Sequence, residues 1–345
     1  MINTMIHEIE LRKNYLQNKK LKSLYFGGGT PSILSIKNIT KLFNKINETF
    51  NLEDSIEITL ECNPDDLSIE KLQFYKKIGI NRLSIGIQSF KKEDLIFMNR
   101  SHTSLQAKQS IINAKKMGFS NISIDLIYSL PNQKLKDWKE NLDITMDLGI
   151  QHISAYSLTI EEKTKLKHLI KIKEITELDD DESSKHFDML TEACKSSNFI
   201  QYEISNFGKK KFFSKHNSSY WLGKEYLGIG PSAHSYNGTT RSWNVYSNKQ
   251  YIKKLQEGIL PNELEILKNS EKYNDYIMTS LRTIWGTNLD FIIKKFGLKF
   301  YIHLNKEVIK WQKNGEIILK DRKIYLSQKG KYISDKICSD LFIVD

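Results

Sequence analysis

The chain has 345 residues and a formal net charge of +11 at pH 7, from 52 Lys and Arg against 41 Asp and Glu. Its length allows one large domain or two, and its three cysteines exclude a disulfide-rich secreted fold. No apolar run approaches about eighteen residues and no signal-peptide pattern follows Met1, so we predict a cytoplasmic protein.

The positive charge comes from lysines spread along the chain among many Asn and Ile residues. Local runs such as Lys209-Lys210-Lys211 carry no RNA-binding motif and no interleaved aromatic residues, which argues against nucleic acid as a partner. A basic surface of this kind is compatible with weak association with an anionic membrane surface.

Residues 1–20 are predicted to form one helix that leads directly into a strand at residues 21–26. Its shared face would carry Ile2, Met5, Ile6, Ile9, Lys13 and Leu16. The run Gly27-Gly28-Gly29-Thr30-Pro31 follows the strand. Glycines allow the backbone to turn sharply and to approach a ligand closely, because they carry no Cβ atom. Alone this signal is weak, since most such runs are only tight turns.

Apolar runs of strand length recur along the first two thirds of the chain, at residues 56–61, 82–88, 122–128, 152–158 and 199–204. Amphipathic stretches of helical length lie at residues 36–50, 68–78, 92–99, 104–117 and 135–148. This alternation predicts an α/β fold, a (β/α) barrel whose site lies at the carboxyl ends of the strands. Glu61, Gln88 and Asp125 would all lie at strand ends. Taken singly, each could equally be a helix cap or a turn residue.

A second domain is predicted for residues 259–345, after a barrel domain at residues 1–258. Helical patterns at residues 272–283, 289–296 and 302–313 precede a strand pair at 317–319 and 324–326, and a final helix at 329–341. Helices followed by a small β-wing indicate a winged-helix-like module. No extra basic recognition helix supports DNA binding by this module.

The chain resembles the radical-SAM proteins related to oxygen-independent coproporphyrinogen III oxidase, and within them the branch of heme chaperones. The resemblance rests on YFGGGTPS from Tyr25, ECNP from Glu61, NRLSIGIQSF from Asn81, DLIYSLP from Asp125, YEISNF from Tyr202 and HNSSYW from His216. An HNxxYW segment is characteristic of that branch. The resemblance covers nearly the whole chain and implies a partial (β/α) barrel of the radical-SAM type.

The resemblance also implies residues that bind S-adenosyl-L-methionine (SAM): Gly28, Gly29, Thr30, Glu61, Gln88, Arg100, Asp125, Thr159 and Ile229. SAM carries an ammonium, a carboxylate, ribose hydroxyls and an adenine, so carboxylates and backbone N–H groups suit it. Arg100 is one of only six arginines, and its planar fork suits a ligand carboxylate. The alternative is a surface cation at the end of the helix 92–99.

Members of this family carry a CxxxCxxC segment just after the first barrel strand, whose thiolates ligate a [4Fe–4S] cluster. Here Cys62, Cys194 and Cys338 are 132 and 144 residues apart, without metal-ligand spacing. We expect three buried or half-buried free thiols and no metal ligands in this chain.

The start of the chain offers a reason for that departure from the family. In a βα architecture a helix such as residues 1–20 follows a strand, and no strand precedes it here. We therefore expect a barrel that lacks its first strand and cluster loop. A misplaced start codon, an interrupted gene and a true cluster-less paralogue would all give this sequence. Truncation is favoured because the SAM-binding residues are still present.

Four residues are candidates for heme contact: His216, Tyr220, Trp221 and His234. Imidazole is the usual axial ligand of heme iron, and the two aromatic rings offer flat area for a porphyrin. Alternatively, His216 caps a turn and the aromatic residues belong to the core. The resemblance implies a protein that binds heme or porphyrin and delivers heme to acceptor proteins. The alternative functions are a coproporphyrinogen III oxidase-like enzyme and, in contrast, a nucleic-acid-binding protein.

Overall fold

The computed structural model describes residues 1–344. The chain divides into two compact units, one of Met1–Ser23, Ser35–Ile56 and Lys215–Asp345, the other of Leu24–Leu34 and Glu57–Ser214. The boundary near residue 258 that the sequence suggests stays a prediction.

The strands are β1 (Lys20–Phe26), β2 (Asn51–Cys62), β3 (Arg82–Gln88), β4 (Ile122–Tyr128), β5 (His152–Ser157), β6 (Ile200–Gln201), β7 (Asn206–Gly208), β8 (His234–Tyr236), β9 (Thr240–Asn244), β10 (Asn262–Ile266), β11 (Thr287–Asn288), β12 (Ile317–Lys320) and β13 (Lys323–Leu326). The helices are α1 (Ile2–Leu11), α2 (Ile36–Thr49), α3 (Ile69–Lys77), α4 (Lys92–Phe97), α5 (Ser104–Lys116), α6 (Leu135–Asp147), α7 (Lys165–Lys171), α8 (Asp180–Ser196), α9 (Lys215–Trp221), α10 (Asn248–Gln256), α11 (Asn269–Leu281), α12 (Leu289–Phe296), α13 (Leu298–Lys313), α14 (Gln328–Tyr332) and α15 (Ser334–Asp340).

A seven-stranded sheet with the order β1-β2-β3-β4-β5-β7-β6 forms an open, partial barrel, as the strand–helix alternation predicts. β2 to β5 pair in parallel in consecutive order. The two central strands are buried almost throughout and match the predicted ranges, because buried parallel strands read as nearly continuous apolar runs. β1 lies at one edge of the sheet.

The expected sixth strand at residues 199–204 is present only as the two-residue β6, and the expected parallel pairing is wrong. The chain instead forms a hairpin in which β6 and β7 are antiparallel, and β7 is antiparallel to β5. The carboxylate of Glu203 holds the turn, because it accepts hydrogen bonds from the backbone N–H of Ser205 and the side chain of Asn206. A buried carboxylate that organises a turn cannot be distinguished in sequence from a polar residue at a strand end.

The expected helix over residues 1–20 is also shorter than predicted, since α1 ends at Leu11. Glu8 and Arg12 are 0% and 4% exposed, whereas Lys13, expected on the buried face, is exposed. Arg12 is the C-cap of the helix, and its guanidinium donates to the carbonyl of Gly228 and the hydroxyl of Ser235. Tertiary hydrogen bonds therefore override the helical periodicity here.

Near the C-terminus the predicted strand pair is present as β12 and β13, and β11 adds a third strand in the order β11-β13-β12. The helices α11, α12, α13 and α15 surround a buried apolar core with these strands. The predicted final helix is divided into α14 and α15 at Ile333. In α14, Gly330 lies so close to Glu316 that a Cβ atom would be 2.2 Å from its carbonyl oxygen.

A further three-stranded sheet with the order β10-β9-β8 was not predicted. Its strands are short and rich in polar residues, so they lack the apolar alternation that signals a strand.

Candidate functional site

A cavity of about 160 Å³ lies at the carboxyl ends of the parallel strands, within one compact unit. It is lined by Gly29, Thr30, Glu61, Cys62, Asn63, Ser84, Gly86, Gln88, Arg100 and Asp125. Most of the residues proposed to bind SAM therefore converge, as expected for polar groups at the ends of neighbouring parallel strands. Cys62, Asn63, Ser84 and Gly86 were missed, although Cys62 and Asn63 belong to the ECNP segment.

Three of the residues proposed to bind SAM are not among the residues that line the cavity. Gly28 is next to the lining and donates its backbone N–H to Oε2 of Glu61 at 3.2 Å. Thr159 follows β5 and is exposed. Ile229 belongs to the other compact unit. The assignment of these residues to SAM stays a prediction.

The glycine run has two distinct physical roles. Gly28 and Gly29 have φ angles of 74° and 88°, the left-handed region that other residues rarely adopt. Gly27 allows close packing instead, because a Cβ atom there would lie 2.4 Å from Cε1 of Tyr25 and 2.9 Å from the carboxylate of Glu61. The turn places the backbone N–H of Gly28 beside the carboxylate of Glu61, one residue before the end of β2.

Glu61 is held by two donors. The hydroxyl of Tyr25 donates to Oε1 at 2.6 Å, and the N–H of Gly28 donates to Oε2. Burial, and then the nearby Glu61 carboxylate, raise the pKa of Tyr25 far above its ordinary value, so its hydroxyl stays protonated as a donor. The carboxylate is therefore pre-oriented at the wall of the cavity.

Asp125 is the second carboxylate of the cavity. The hydroxyl of Ser84 donates to its Oδ1 at 3.3 Å. Burial raises the pKa of Asp125 to about 6, against the opposing effect of the Arg82 guanidinium and with a further increase from the charge of Glu61. The two carboxylates thus differ in environment, and Asp125 titrates close to neutral pH.

Gln88, which ends β3, and Arg100, which follows α4, add an amide and a guanidinium to the lining of the cavity. Gln88 has a φ of 64° at an irregularity in the pairing of β3 with β4, which re-aims its side chain. Gly86 leaves room for both, because a Cβ atom there would lie 2.9 Å from Nε2 of Gln88.

The guanidinium of Arg100 uses only part of its hydrogen-bonding capacity within the described residues. One terminal nitrogen donates to Oδ1 of Asn63 at 2.7 Å and to the carbonyl of Gly86 at 3.4 Å. Its Nε is buried, and within residues 1–344 it has no hydrogen-bond partner. Arg100 is therefore half-buried and lines the cavity, and its assignment to SAM stays a prediction.

The cysteines are free and buried, as predicted. Cys62 ends β2, Cys194 lies on α8 and Cys338 on α15. Burial raises the pKa of all three thiols, that of Cys338 to about 12. Within residues 1–344 no group of three His, Cys, Asp or Glu side chains could hold a metal ion. The described residues therefore do not fit a [4Fe–4S] cluster.

The HNSSYW segment forms helix α9, so His216 lies in a helix and not at a turn. Its Nδ1 is 3.1 Å from the hydroxyl oxygen of Ser23, and its Nε2 is 2.9 Å from that of Tyr220. Tyr220 is 40% exposed, so it is not a core residue. Trp221 is half-buried, with the guanidinium of Arg282 at 5.7 Å from the ring centroid.

His234 begins β8 and is exposed. Its ring centroid lies 6.2 Å from that of Trp243 on β9. Both candidate histidines and their aromatic neighbours belong to the same compact unit.

Comparisons with known proteins agree with this fold. Residues 6–144 match the model of the radical SAM superfamily. The structure is similar to coproporphyrinogen III oxidase (HemN) from Escherichia coli, a radical SAM enzyme, with a TM-score of 0.84 over 99% of this chain and 82% of that one. The two are 21% identical in sequence, so this likeness shows the fold alone. The chain is a radical-SAM protein.

Relatives in sequence show to which family of radical-SAM proteins the chain belongs. The chain is 33% identical over 320 residues to the heme chaperone HemW of Bacillus subtilis, over 92% of this chain and 84% of that protein. It is 32% identical over 331 residues to the heme chaperone HemW of Lactococcus lactis, over 95% of this chain and 86% of that protein. The chain belongs to the HemW family, which confirms the resemblance seen in its motifs.

Among the helices formed by residues 1–344, none combines the length and the apolar character needed to cross a membrane.

Proposed function

We propose that this protein is a heme chaperone that binds heme and delivers it to acceptor proteins, on a radical-SAM scaffold. The observation that carries the proposal is its similarity to two bacterial proteins named heme chaperone HemW, over 92% and 95% of its length. The HNSSYW helix, with a half-exposed tyrosine beside His216, supports it. The identity of the acceptor proteins and a cytoplasmic location stay predictions.

SAM is the ligand that we propose for the cavity. Its ammonium suits the carboxylate of Glu61, and its carboxylate suits the guanidinium of Arg100, which retains an unpartnered buried Nε among residues 1–344. Hydroxyl and amide groups of Thr30, Ser84 and Gln88 suit the ribose and adenine. The described residues supply no ligand set for the cluster, so the proposal treats SAM as a ligand and assigns it no reaction.

Heme is proposed to bind through a histidine, His216 or His234, with aromatic rings against the porphyrin. A cysteine is a poor candidate, because a thiolate is the form that ligates iron and burial raises the pKa of every cysteine here. The ring of Tyr220 contacts that of His216 on α9, Trp221 follows Tyr220 in the same helix, and Trp243 lies beside His234.

A coproporphyrinogen III oxidase-like activity is the second candidate. The structural likeness to HemN favours it only at the level of fold, because the two chains are 21% identical. The HemW relatives at 33% and 32% identity favour the chaperone.

The experiment is a titration of the purified chain with ferric heme, followed by transfer to apomyoglobin as a heme-free acceptor. A chaperone should bind heme saturably with one heme per chain and release it to the acceptor. The control is the double variant His216→Ala/His234→Ala, which should lose the saturable Soret change. A linear, unsaturable response of the wild type would contradict the proposed function.

A further inference from the structure

The sheet of β8, β9 and β10 presents two chemically different faces. In the antiparallel register, His234 pairs with Trp243, and Trp243 pairs with Glu263. These three side chains form one row across the sheet, because paired residues point to the same face. Alternating residues on the strands point the other way, and Ser235, Ser242 and Asn244 are buried there.

The buried face of this sheet is fastened by α1. The guanidinium of Arg12 donates to the hydroxyls of Ser235 at 3.0 Å and Ser242 at 3.2 Å. The side-chain amide of Asn244 donates to Oε1 of Glu8 at 2.7 Å. Ser235 follows His234 directly in the chain, so this buried network fixes the backbone that carries the imidazole.

The exposed face leaves the imidazole available. Within residues 1–344 the ring of His234 makes no hydrogen bond, whereas both nitrogens of His216 lie within hydrogen-bond distance of hydroxyl groups. Iron coordination by His216 would have to break one of those contacts. The other exposed histidines, His7 on α1 and His168 on α7, have no aromatic ring beside them among the described residues.

The indole ring of Trp243 lies beside this imidazole. Its Nε1 donates to Oε2 of Glu263 at 3.2 Å, which restrains the indole. The planes of the imidazole and the indole differ by 31°. An imidazole that ligates heme iron stands perpendicular to the porphyrin, so an indole tilted by 31° from it would contact the porphyrin mainly through its edge. A restrained, partly exposed indole offers that apolar edge with a small ordering cost at binding.

We propose that heme binds on this exposed row, with His234 as the axial ligand of the iron and Trp243 against the porphyrin. The proposal rests on the proposed heme-binding function and assigns the ligand to one of its two candidate histidines. The charged group of the row is the Glu263 carboxylate, so the heme propionates are expected to stay hydrated and point away from it. An open sheet face also leaves the heme within reach of an acceptor protein.

The test is a titration of the full chain with ferric heme, read from the Soret band and from the high-spin ferric signal in electron paramagnetic resonance, as expected for a heme with one histidine ligand. The variants are His234→Gly, His216→Ala and Trp243→Leu, with His168→Ala as the control for removal of an exposed histidine. His234→Gly should lose the histidine-ligated spectrum and bind heme about tenfold more weakly. The control His168→Ala should keep the wild-type spectrum and affinity, and His216→Ala should keep the histidine-ligated spectrum.

Free imidazole separates coordination from a structural role. It should restore the wild-type Soret band to the His234→Gly complex, because it can occupy the position of the missing side chain. Trp243→Leu should keep the histidine-ligated spectrum but bind heme more weakly, with no rescue by imidazole. Thermal unfolding of each variant followed by circular dichroism confirms that the chain is folded.

The outcomes distinguish the two proposals. If the wild type fails to bind heme saturably, the proposed function itself fails. If the wild type binds heme and His234→Gly keeps its spectrum and affinity, the assignment to His234 is overturned while heme binding stands. Loss of the spectrum in His216→Ala with retention in His234→Gly would move the ligand to α9.

Discussion

The hydroxyl of Tyr25 donates a 2.6 Å hydrogen bond to Oε1 of Glu61, so a residue near the end of β1 holds a carboxylate near the end of β2. Glu61 is the residue proposed to meet the SAM ammonium, and its orientation depends on this bond. The donor lies two residues before the glycine run, which makes the two motifs YFGGGTPS and ECNP parts of one site.

Removal of that hydroxyl is therefore expected to weaken SAM binding. Tyr25→Phe should lower SAM affinity about fivefold, since a hydrogen bond to a charged group contributes on the order of 1 kcal/mol or more. Isothermal titration calorimetry measures the SAM affinity of the variant and of the wild type. The control is Tyr75→Phe, whose hydroxyl lies 3.5 Å from the carbonyl of Ser32 and outside the cavity lining. An equal loss in both variants would show that the effect is not specific to Glu61.

The buried carboxyl group of Asp125 is expected to make the free energy of unfolding depend on pH. Its pKa is raised from 3.8 to about 6 in the folded chain, so the folded state binds more protons than the unfolded state between those values. Stability should therefore fall as the pH rises from about 4 to about 6. Asp125→Asn should be more stable than the wild type at about pH 8, by up to about 3 kcal/mol, and equal to it at about pH 4.

Urea unfolding at the two pH values measures this difference. Asp143→Asn is the control, because Asp143 is an exposed carboxylate on α6 that pairs with Lys139. A stability difference for Asp125→Asn that does not change with pH would contradict the origin of the effect in the buried carboxylate.

Removal of one partner of the buried ion pair of Glu8 and Arg12 is expected to destabilise the fold strongly, and removal of both charges is expected to destabilise it less. The two side chains are 3.3 Å apart, and Glu8 also accepts hydrogen bonds from Asn244 and from the N–H of Gly230. Arg12→Met should lower the free energy of unfolding by about 3–5 kcal/mol, because it leaves the Glu8 carboxylate buried without its cation.

The matched control is Lys13→Met, which breaks the exposed ion pair with Glu10 and should cost less than about 1 kcal/mol. The double variant Glu8→Gln/Arg12→Met should recover part of the loss. Denaturant unfolding followed by circular dichroism measures all three. Equal effects of Arg12→Met and Lys13→Met would refute a special role for the buried pair.

The positions of the three cysteines lead to an expectation for iron–sulfur reconstitution. We expect the chain as sequenced, treated anaerobically with iron and sulfide, to hold no stoichiometric [4Fe–4S] cluster and to cleave no SAM reductively, since Cys62, Cys194 and Cys338 are buried on separate elements. The triple Cys→Ser variant is the blank and should retain as little iron as the wild type. Broad absorbance at about 400 nm with about four irons per chain would contradict this expectation.

Parallel strands could be predicted well, and short polar ones could not. β3 and β4 match their predicted ranges because their buried apolar runs are local in the sequence. Glu61, Gln88 and Asp125 converge for the same reason, since the carboxyl ends of parallel strands share one edge. Asn63 and Ser84 were missed because nothing in the local pattern distinguishes a lining residue from an ordinary polar one.

The hairpin of β6 and β7 and the early end of α1 show the opposite case. Both depend on buried polar groups, the Glu203 carboxylate in one and the Arg12 guanidinium in the other. Periodicity assigns a polar residue to solvent by default, so a carboxylate or guanidinium that is paired inside the protein reverses the prediction.

The sequence by itself determined the α/β class, the family and six of the ten residues that line the cavity, because motifs and strand patterns are read over a few neighbouring residues. It offered His216 in the HNSSYW segment as a heme ligand, with His234 as a competing candidate. Only the tertiary structure separated them, since the contact that occupies Nδ1 of His216 comes from Ser23, 193 residues away in the chain. A hydrogen bond across that separation exists only once the backbone has brought the two groups together, so no local pattern can encode it.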